Sequence, residues 1–226
     1  MPSHPVPARS PRRTRAEQAE FYDQLVQTSL RLFAEGGYEA ITMRRLAGEA
    51  GMPPMSLYRY FPTKAHLMRH IWDHVFELAL ARALRAVRAS DPATKRLRAY
   101  VGGFLDYWLE HREHYWIVFA IRESAVAPHA EHERPLGPDA GAITRKLGDL
   151  YDACLGKHRP PDAQRRVELD LVFCKMLGFL LGPIGLPATE WGELKRLKAQ
   201  LLDDIEAQVR CAAAGSARAS DSRARP

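Results

Sequence analysis

The sequence predicts an all-α protein, on three observations. Apolar residues recur at three- and four-residue spacing along almost the whole chain, and no stretch alternates in the β-branched manner of a strand. The punctuation is that of helices: Gly36-Gly37 and Gly51 where helices stop, Asp91-Pro92 where one begins. The composition, 46% apolar and 27% charged over 226 residues, suits a globular chain large enough to bury a core.

Each element follows from its local pattern. Residues 1–15, rich in arginine and proline, read as a flexible basic arm. A first helix spans about Ala16 to Glu35, with Leu25, Val26, Ser29, Leu32 and Phe33 on one face, and Gly36-Gly37 stops it because glycine accepts the left-handed cap conformation. Short helices follow near 43–50 and 54–60. Thr63 caps a long helix reaching about Ala89. Asp91 as cap and Pro92 as first helical residue start the next, which carries Leu97, Tyr100, Val101, Phe104, Leu105 and Trp108. A helix near 113–126, a loop at 128–138 and helices near 139–156, 162–182 and 190–211 complete the order, and 212–226 reads as a disordered tail. The domain boundaries are therefore 1–15, 16–62, 63–211 and 212–226.

Composition narrows the function. The balance is basic, 33 Lys+Arg against 27 Asp+Glu, which permits an anionic partner without demanding one. The first residues carry charge but no apolar core of a secretory signal. The longest apolar run, 176–186, is too short for a bilayer and is broken by Gly182 and Pro183, so no membrane partner is expected. Cys154, Cys174 and Cys211 form no CxxC pair, and the expected setting is reduced and cytoplasmic. Cys174, within LDLVFCKMLGFLL, is expected as a core thiol.

Residues 42–61, TMRRLAGEAGMPPMSLYRYF, carry the strongest signal. Met43, Leu46, Ala47 and Ala50 fall at i, i+3, i+4 and i+7 and share an inward stripe, while Arg44, Arg45 and Glu49 point outward. Thr42 caps this helix and Gly51 ends it in a tight turn. In the next helix Leu57 and Phe61 face inward together; Met55, Ser56 and Arg59 face out, with Tyr58 and Tyr60 on the flanks. Two short helices, a glycine turn and a cationic, hydroxylic, aromatic outer face make a helix-turn-helix whose outer face meets double-stranded DNA.

The skeleton Phe33, Gly37-Tyr38, Ile41-Thr42-Met43, Leu46-Ala47, Ala50-Gly51-Met52, Leu57-Tyr58-Arg59-Tyr60-Phe61, Lys64 and Leu67 resembles the tetracycline-repressor (TetR) type of bacterial transcriptional regulators over roughly residues 18–68. The resemblance implies a three-helix DNA-binding domain followed by a helical ligand-binding and dimerisation domain, and a dimeric repressor released from a palindromic operator by a small effector. It places Arg44 where some relatives read a base, and Thr42, Ser56, Tyr58, Arg59, Tyr60 and Lys64 where relatives touch phosphates or base edges. Pro53 and Met55 depart from the family's usual cap and small residue, so the operator is not transferable. Met55 nevertheless counts with Thr42, Arg44, Ser56, Tyr58, Arg59, Tyr60 and Lys64 among the expected DNA contacts. Arg45 reads as a solvated charge. Tyr60 either packs on the fourth helix or touches DNA, and Arg9, Arg12, Arg13 and Arg15 either enter the minor groove or stay in solvent.

Beyond residue 64 the expectations concern a ligand and a partner. Phe104, Tyr107, Trp108, Tyr115, Trp116, Phe119 and Arg122, with Phe173 and Met176 from the helix 162–182, are the expected effector site: apolar area with polar handles. Gly102-Gly103 inside a helix suggests room left for a ligand. The helix 162–182 is apolar nearly all round, and Leu194, Leu197, Leu201, Leu202, Ile205 and Val209 follow at near-heptad spacing, so the two helices are expected to form a homodimer as a four-helix bundle. His66, His70 and His74 share a helical face, and His129 and His132 lie in a polar segment; both groups read as surface, with no metal and no cofactor expected. No nucleophile elbow, P-loop or zinc-protease signature is present, so no enzyme is expected. The competing reading is a helical small-molecule-binding or catalytic protein with a vestigial DNA-binding unit.

Overall fold

The computed structural model describes residues 14–120, 138–157 and 159–223, and among these every regular element is helical. The basic arm to residue 13, most of the loop 128–138, and Arg122, His129 and His132 lie outside the described residues. The chain divides into two compact units, residues 1–64 and 65–226.

The first unit holds α1 (Arg15–Ala40), α2 (Met43–Glu49) and α3 (Pro54–Tyr60). Thr14 and Glu17 form a reciprocal capping box at the start of α1: the Thr14 hydroxyl accepts from the Glu17 N–H at 3.3 Å, and the Thr14 N–H donates to the Glu17 carboxylate at 2.7 Å. The helix kinks at the glycine pair, where Gly37 takes φ +67°, and resumes as one turn to Ala40. Phe21, Leu25, Val26, Leu30 and Leu32 from α1 are buried, as are Ile41, Met43, Leu46, Ala47, Leu57 and Phe61. Ser29, fully buried on the same face of α1, satisfies its hydroxyl by donating to the Leu25 carbonyl at 2.7 Å.

The second unit is built around α5 (Ala93–Glu110), in which Val101 to Leu105 are buried without a break. Pro92 occupies the cap position itself, so the helix starts one residue later than the sequence suggests, and Asp91 instead pairs with Lys95 at 3.1 Å. Around α5 stand α4 (Lys64–Arg85), α7 (Pro138–Leu155), α8 (Asp162–Leu180) and α9 (Leu194–Arg223). Between α5 and α7 comes a single turn, α6 (Arg112–Tyr115), that widens into π-helix over Trp116–Ala120; a second π turn, Leu181–Gly185, ends α8. The Tyr100 hydroxyl donates to the Ile143 carbonyl at 3.0 Å and ties α5 to α7, and Arg98 reaches Asp203 (2.6 Å) and Glu206 (3.2 Å) on α9.

Three expectations change here. The last helix runs to Arg223 rather than stopping near 211, since Ala212, Ala213 and Ala214 favour helix. Gly103 leaves no room for a ligand: a Cβ there would stand 3.1 Å from Ala83 Cα and from Ala86 Cβ, so the glycine permits a close crossing of α4 and α5. Cys174 is exposed, not buried, because α8 buries only Val172, Met176 and Leu180.

Candidate nucleic-acid interface and aromatic core

The outer face of the first unit follows from how α2 and α3 are held. Thr42 accepts the Arg45 N–H at 3.2 Å and caps α2. Gly51, with φ +65°, makes the turn that only glycine adopts without strain. Pro53 caps α3 with no side-chain hydrogen bond and Pro54 starts it, where a missing N–H costs nothing. Leu57 is fully buried and anchors α3, which leaves Met55, Tyr58, Arg59 and Tyr60 exposed and Ser56 half-buried; Met55, 76% exposed, stands furthest out.

The two arginines of α2 differ. Arg45 pairs with Glu35, which also binds Arg31 at 2.7 Å; Arg31 in turn holds Glu49 at 2.8 Å. Arg45 is therefore not the plain solvated charge of the sequence reading. Arg44 is exposed and has no ion-pair partner among the described residues, and it borders a concavity with Thr42, Arg45, Gly48 and Glu49. Tyr60 meets Phe21 of α1, ring centroids 5.5 Å apart, while its edge stays 43% exposed. Lys64 turns its ammonium to the Tyr38 carbonyl at 2.7 Å and over the Tyr38 ring at 3.4 Å, and burial holds its pKa down, with Glu39 opposing. One of its three donors is thus spent on joining the end of α1 to the start of α4.

In the second unit the predicted aromatic residues assemble around Trp108, which is completely buried. The rings of Phe76, Phe104, Tyr107, Tyr115 and Phe119 lie 5.2–6.3 Å from it, mostly edge to face. Trp116 and Phe119 are each 37% exposed, and Met176 is buried. The Trp108 indole N–H has no acceptor among the described residues, whereas Trp72 donates to the Ile117 carbonyl at 2.8 Å. Tyr107 and His114, both buried, share a 2.7 Å hydrogen bond. Burial pushes His114 down to about 4; Glu113 opposes this, and His111 and His74 add to it, so its ring is neutral at pH 7.

Phe173 lies apart from this cluster. It lines a cavity of about 550 Å³ between α7 and α8 with Leu147, Gly148, Leu169, Arg145 and Arg165. The expected effector residues thus fall into two groups, an aromatic cluster and a cavity wall. The unpaired indole N–H, the Tyr60–Phe21 contact and the Arg45–Glu35 pair were missed, because each depends on partners distant in sequence.

Residues 25–71 match the family model for bacterial regulatory proteins of the tetR family. The HTH-type transcriptional repressor KstR of Mycolicibacterium smegmatis is 36% identical over 85 residues, 38% of this chain and 42% of its own length. The match thus spans about two-fifths of that curated relative. A TetR-like transcriptional regulator from Rhodococcus sp. RHA1 superposes with TM-score 0.55 at 16% identity, over 90% of this chain and 100% of that one. BioQ bound to its double-stranded DNA operator gives TM-score 0.52 at 22% identity, over 82% and 97%. At these identities the two structures establish the fold. No helix of the described residues is long and apolar enough to cross a membrane.

Proposed function

We propose, from the premise that the chain belongs to the tetR family of bacterial regulatory proteins, that it is a dimeric transcriptional repressor released from a palindromic operator by a small effector. The observation that carries the reading is the outer face of α2 and α3, where Arg44, Met55, Tyr58 and Arg59 are exposed beside a glycine turn. Arg44 suits a guanine edge, and the hydroxyls of Thr42, Ser56, Tyr58 and Tyr60 with Arg59 suit phosphates. Lys64 has two N–H donors left for a phosphate. A two-fold dimer would present two such faces to half-sites about 34–36 Å apart or a multiple of that distance.

Support for the dimer comes from α8. Val167, Leu171, Cys174 and Gly178, with Leu181 of the π turn, are all exposed and follow a four-three-four-three spacing, the seam of a coiled coil. On α9, Leu202, Ile205 and Val209 are buried within the unit, and Leu194, Leu197 and Leu201 remain partly exposed to extend the seam.

The effector reading rests on Trp108. A buried N–H without a partner costs on the order of 1–3 kcal/mol, which an acceptor on a bound molecule would offset. The proposed ligand is mostly apolar or aromatic and carries one acceptor for Trp108. Helix α4 runs in one piece from Lys64 into the second unit, and its tilt is the coupling element. The ligand must bind the released state better than the DNA-bound one, since equal affinity shifts nothing. In vitro selection from random duplexes tests the DNA reading. A palindromic consensus bound two chains per duplex is expected, and recovery of no enriched sequence refutes it.

A further inference from the structure

We propose that His111, Glu113 and His114, at the turn between α5 and α6, form a three-ligand site for a divalent transition metal of the zinc class. One donor atom from each of the three lies within 4.8 Å of the others. His111 Nδ1 is 3.5 Å from Glu113 Oε1. Metal bonds of about 2.0–2.2 Å in a tetrahedron place neighbouring ligand atoms about 3.3 Å apart. The group is therefore open by up to about 1.5 Å at its widest, a gap that side-chain rotation closes. His111 and Glu113 are free to make that rotation, because both are substantially exposed. The two imidazoles now stack, centroids 5.0 Å apart and 14° from parallel, so His111 must turn for its lone pair to converge.

His114 is the fixed member. It is buried and tied through Nδ1 to the Tyr107 hydroxyl at 2.7 Å. With Nδ1–H donated to the phenol oxygen, the lone pair remains on Nε2, which has no hydrogen-bond partner among the described residues. Metal-bound histidines characteristically spend their other nitrogen in this way, and the outer partner sets tautomer and ring orientation. The Tyr107 ring also packs on His111, centroids 4.9 Å apart, so one tyrosine positions both imidazoles. Two imidazoles and a carboxylate suit zinc, with nickel and copper as stronger-binding competitors at the same donors. The set leaves the fourth corner for water. Neither reading of the chain as a DNA-binding regulator nor the effector at Trp108 enters this argument.

The test uses the tag-free full-length chain, stripped of metal and titrated with Co²⁺ as a spectroscopic probe, with Zn²⁺ competition. One equivalent with visible ligand-field bands is expected. The double variant His111→Ala/Glu113→Gln, whose changes are at exposed positions, should lose the bands while keeping its helical circular dichroism. Tyr107→Phe should bind about 10–100-fold more weakly, the usual cost of removing an outer partner. His129→Ala/His132→Ala should bind as wild type does. The proposal is overturned if wild type takes up no stoichiometric metal, or if the His111/Glu113 double variant binds it as well as wild type.

Discussion

Replacing Leu171 by glutamate should separate the proposed dimer. Leu171 is 48% exposed and sits one step along the α8 seam from Val167, which is 66% exposed. Burying a whole leucine side chain contributes about 1.5–3 kcal/mol. Roughly half of that remains to be gained at Leu171, or about 1 kcal/mol per chain. A two-fold axis repeats every contact, so the apolar loss alone is about 2 kcal/mol per dimer. That corresponds to about thirtyfold in the dissociation constant. Two carboxylates brought toward one axis add desolvation and repulsion, which makes this a lower bound. Sedimentation equilibrium over a concentration series measures the shift. The control is Leu78→Glu, an exposed leucine on α4 rather than α8, which should leave the constant unchanged. If Leu171→Glu dimerises as wild type does, with its helicity intact, α8 is not the interface and its apolar face must be covered otherwise.

Arg44→Ala should cost about 1–3 kcal/mol of operator affinity and relax preference at one base position, measured by competition among single-base operator variants. Glu35→Gln frees Arg45 from its ion pair, and because exposed pairs contribute only up to about 1 kcal/mol, the freed guanidinium should reach a phosphate and steepen the salt dependence of DNA binding by about one ion; an unchanged slope counts against it. Gly103→Ala gains about 1 kcal/mol of helix propensity but drives a methyl to 3.1 Å from Ala83 Cα, and overpacking of about 1–3 kcal/mol should win, so urea denaturation is expected to find the variant no more stable than wild type or less. Trp108→Phe deletes the unpaired N–H but also shrinks a fully buried ring; losing the unpaired group gains about 1–3 kcal/mol and the cavity left by the smaller ring offsets it, so stability should change little while the response to a confirmed effector falls, and a full response places the acceptor elsewhere.

The DNA-binding unit was legible in the sequence because its determinants are local. Leu46 and Ala47 on α2, and Leu57 and Phe61 around α3, are buried at the spacings their helices require. Gly51 takes the positive φ that its place between two helices implied. What escaped was the pairing of outward charges. Arg44 and Arg45 are equivalent in sequence, and only Glu35, ten residues upstream of Arg45, distinguishes them. Lys64 reads as a free cation until Tyr38 is found beneath it. Long polar side chains choose partners by fold, and helical periodicity says only which hemisphere they occupy.

The second unit was legible in its element order and less so in what its faces do. An apolar helix reads the same whether its residues meet a core, a ligand or another chain. In α8, Val172 and Met176 are buried while Val167, Leu171 and Cys174 are not, although all five are apolar residues of one helix. Gly103 shows the same ambiguity, since an absent side chain signals empty space or close approach equally, and Ala83 across the crossing decides it. Phe104, Tyr107, Tyr115 and Phe119 gather on Trp108, because rings at i, i+4 and i+8 on the central helix cannot all avoid one another, while Phe173 stands apart on a cavity wall. Their packing around Trp108 nonetheless leaves its N–H without an acceptor among the described residues. The effector proposal rests on that polar defect more than on the number of aromatic rings, since buried polar groups in a core are as a rule paired.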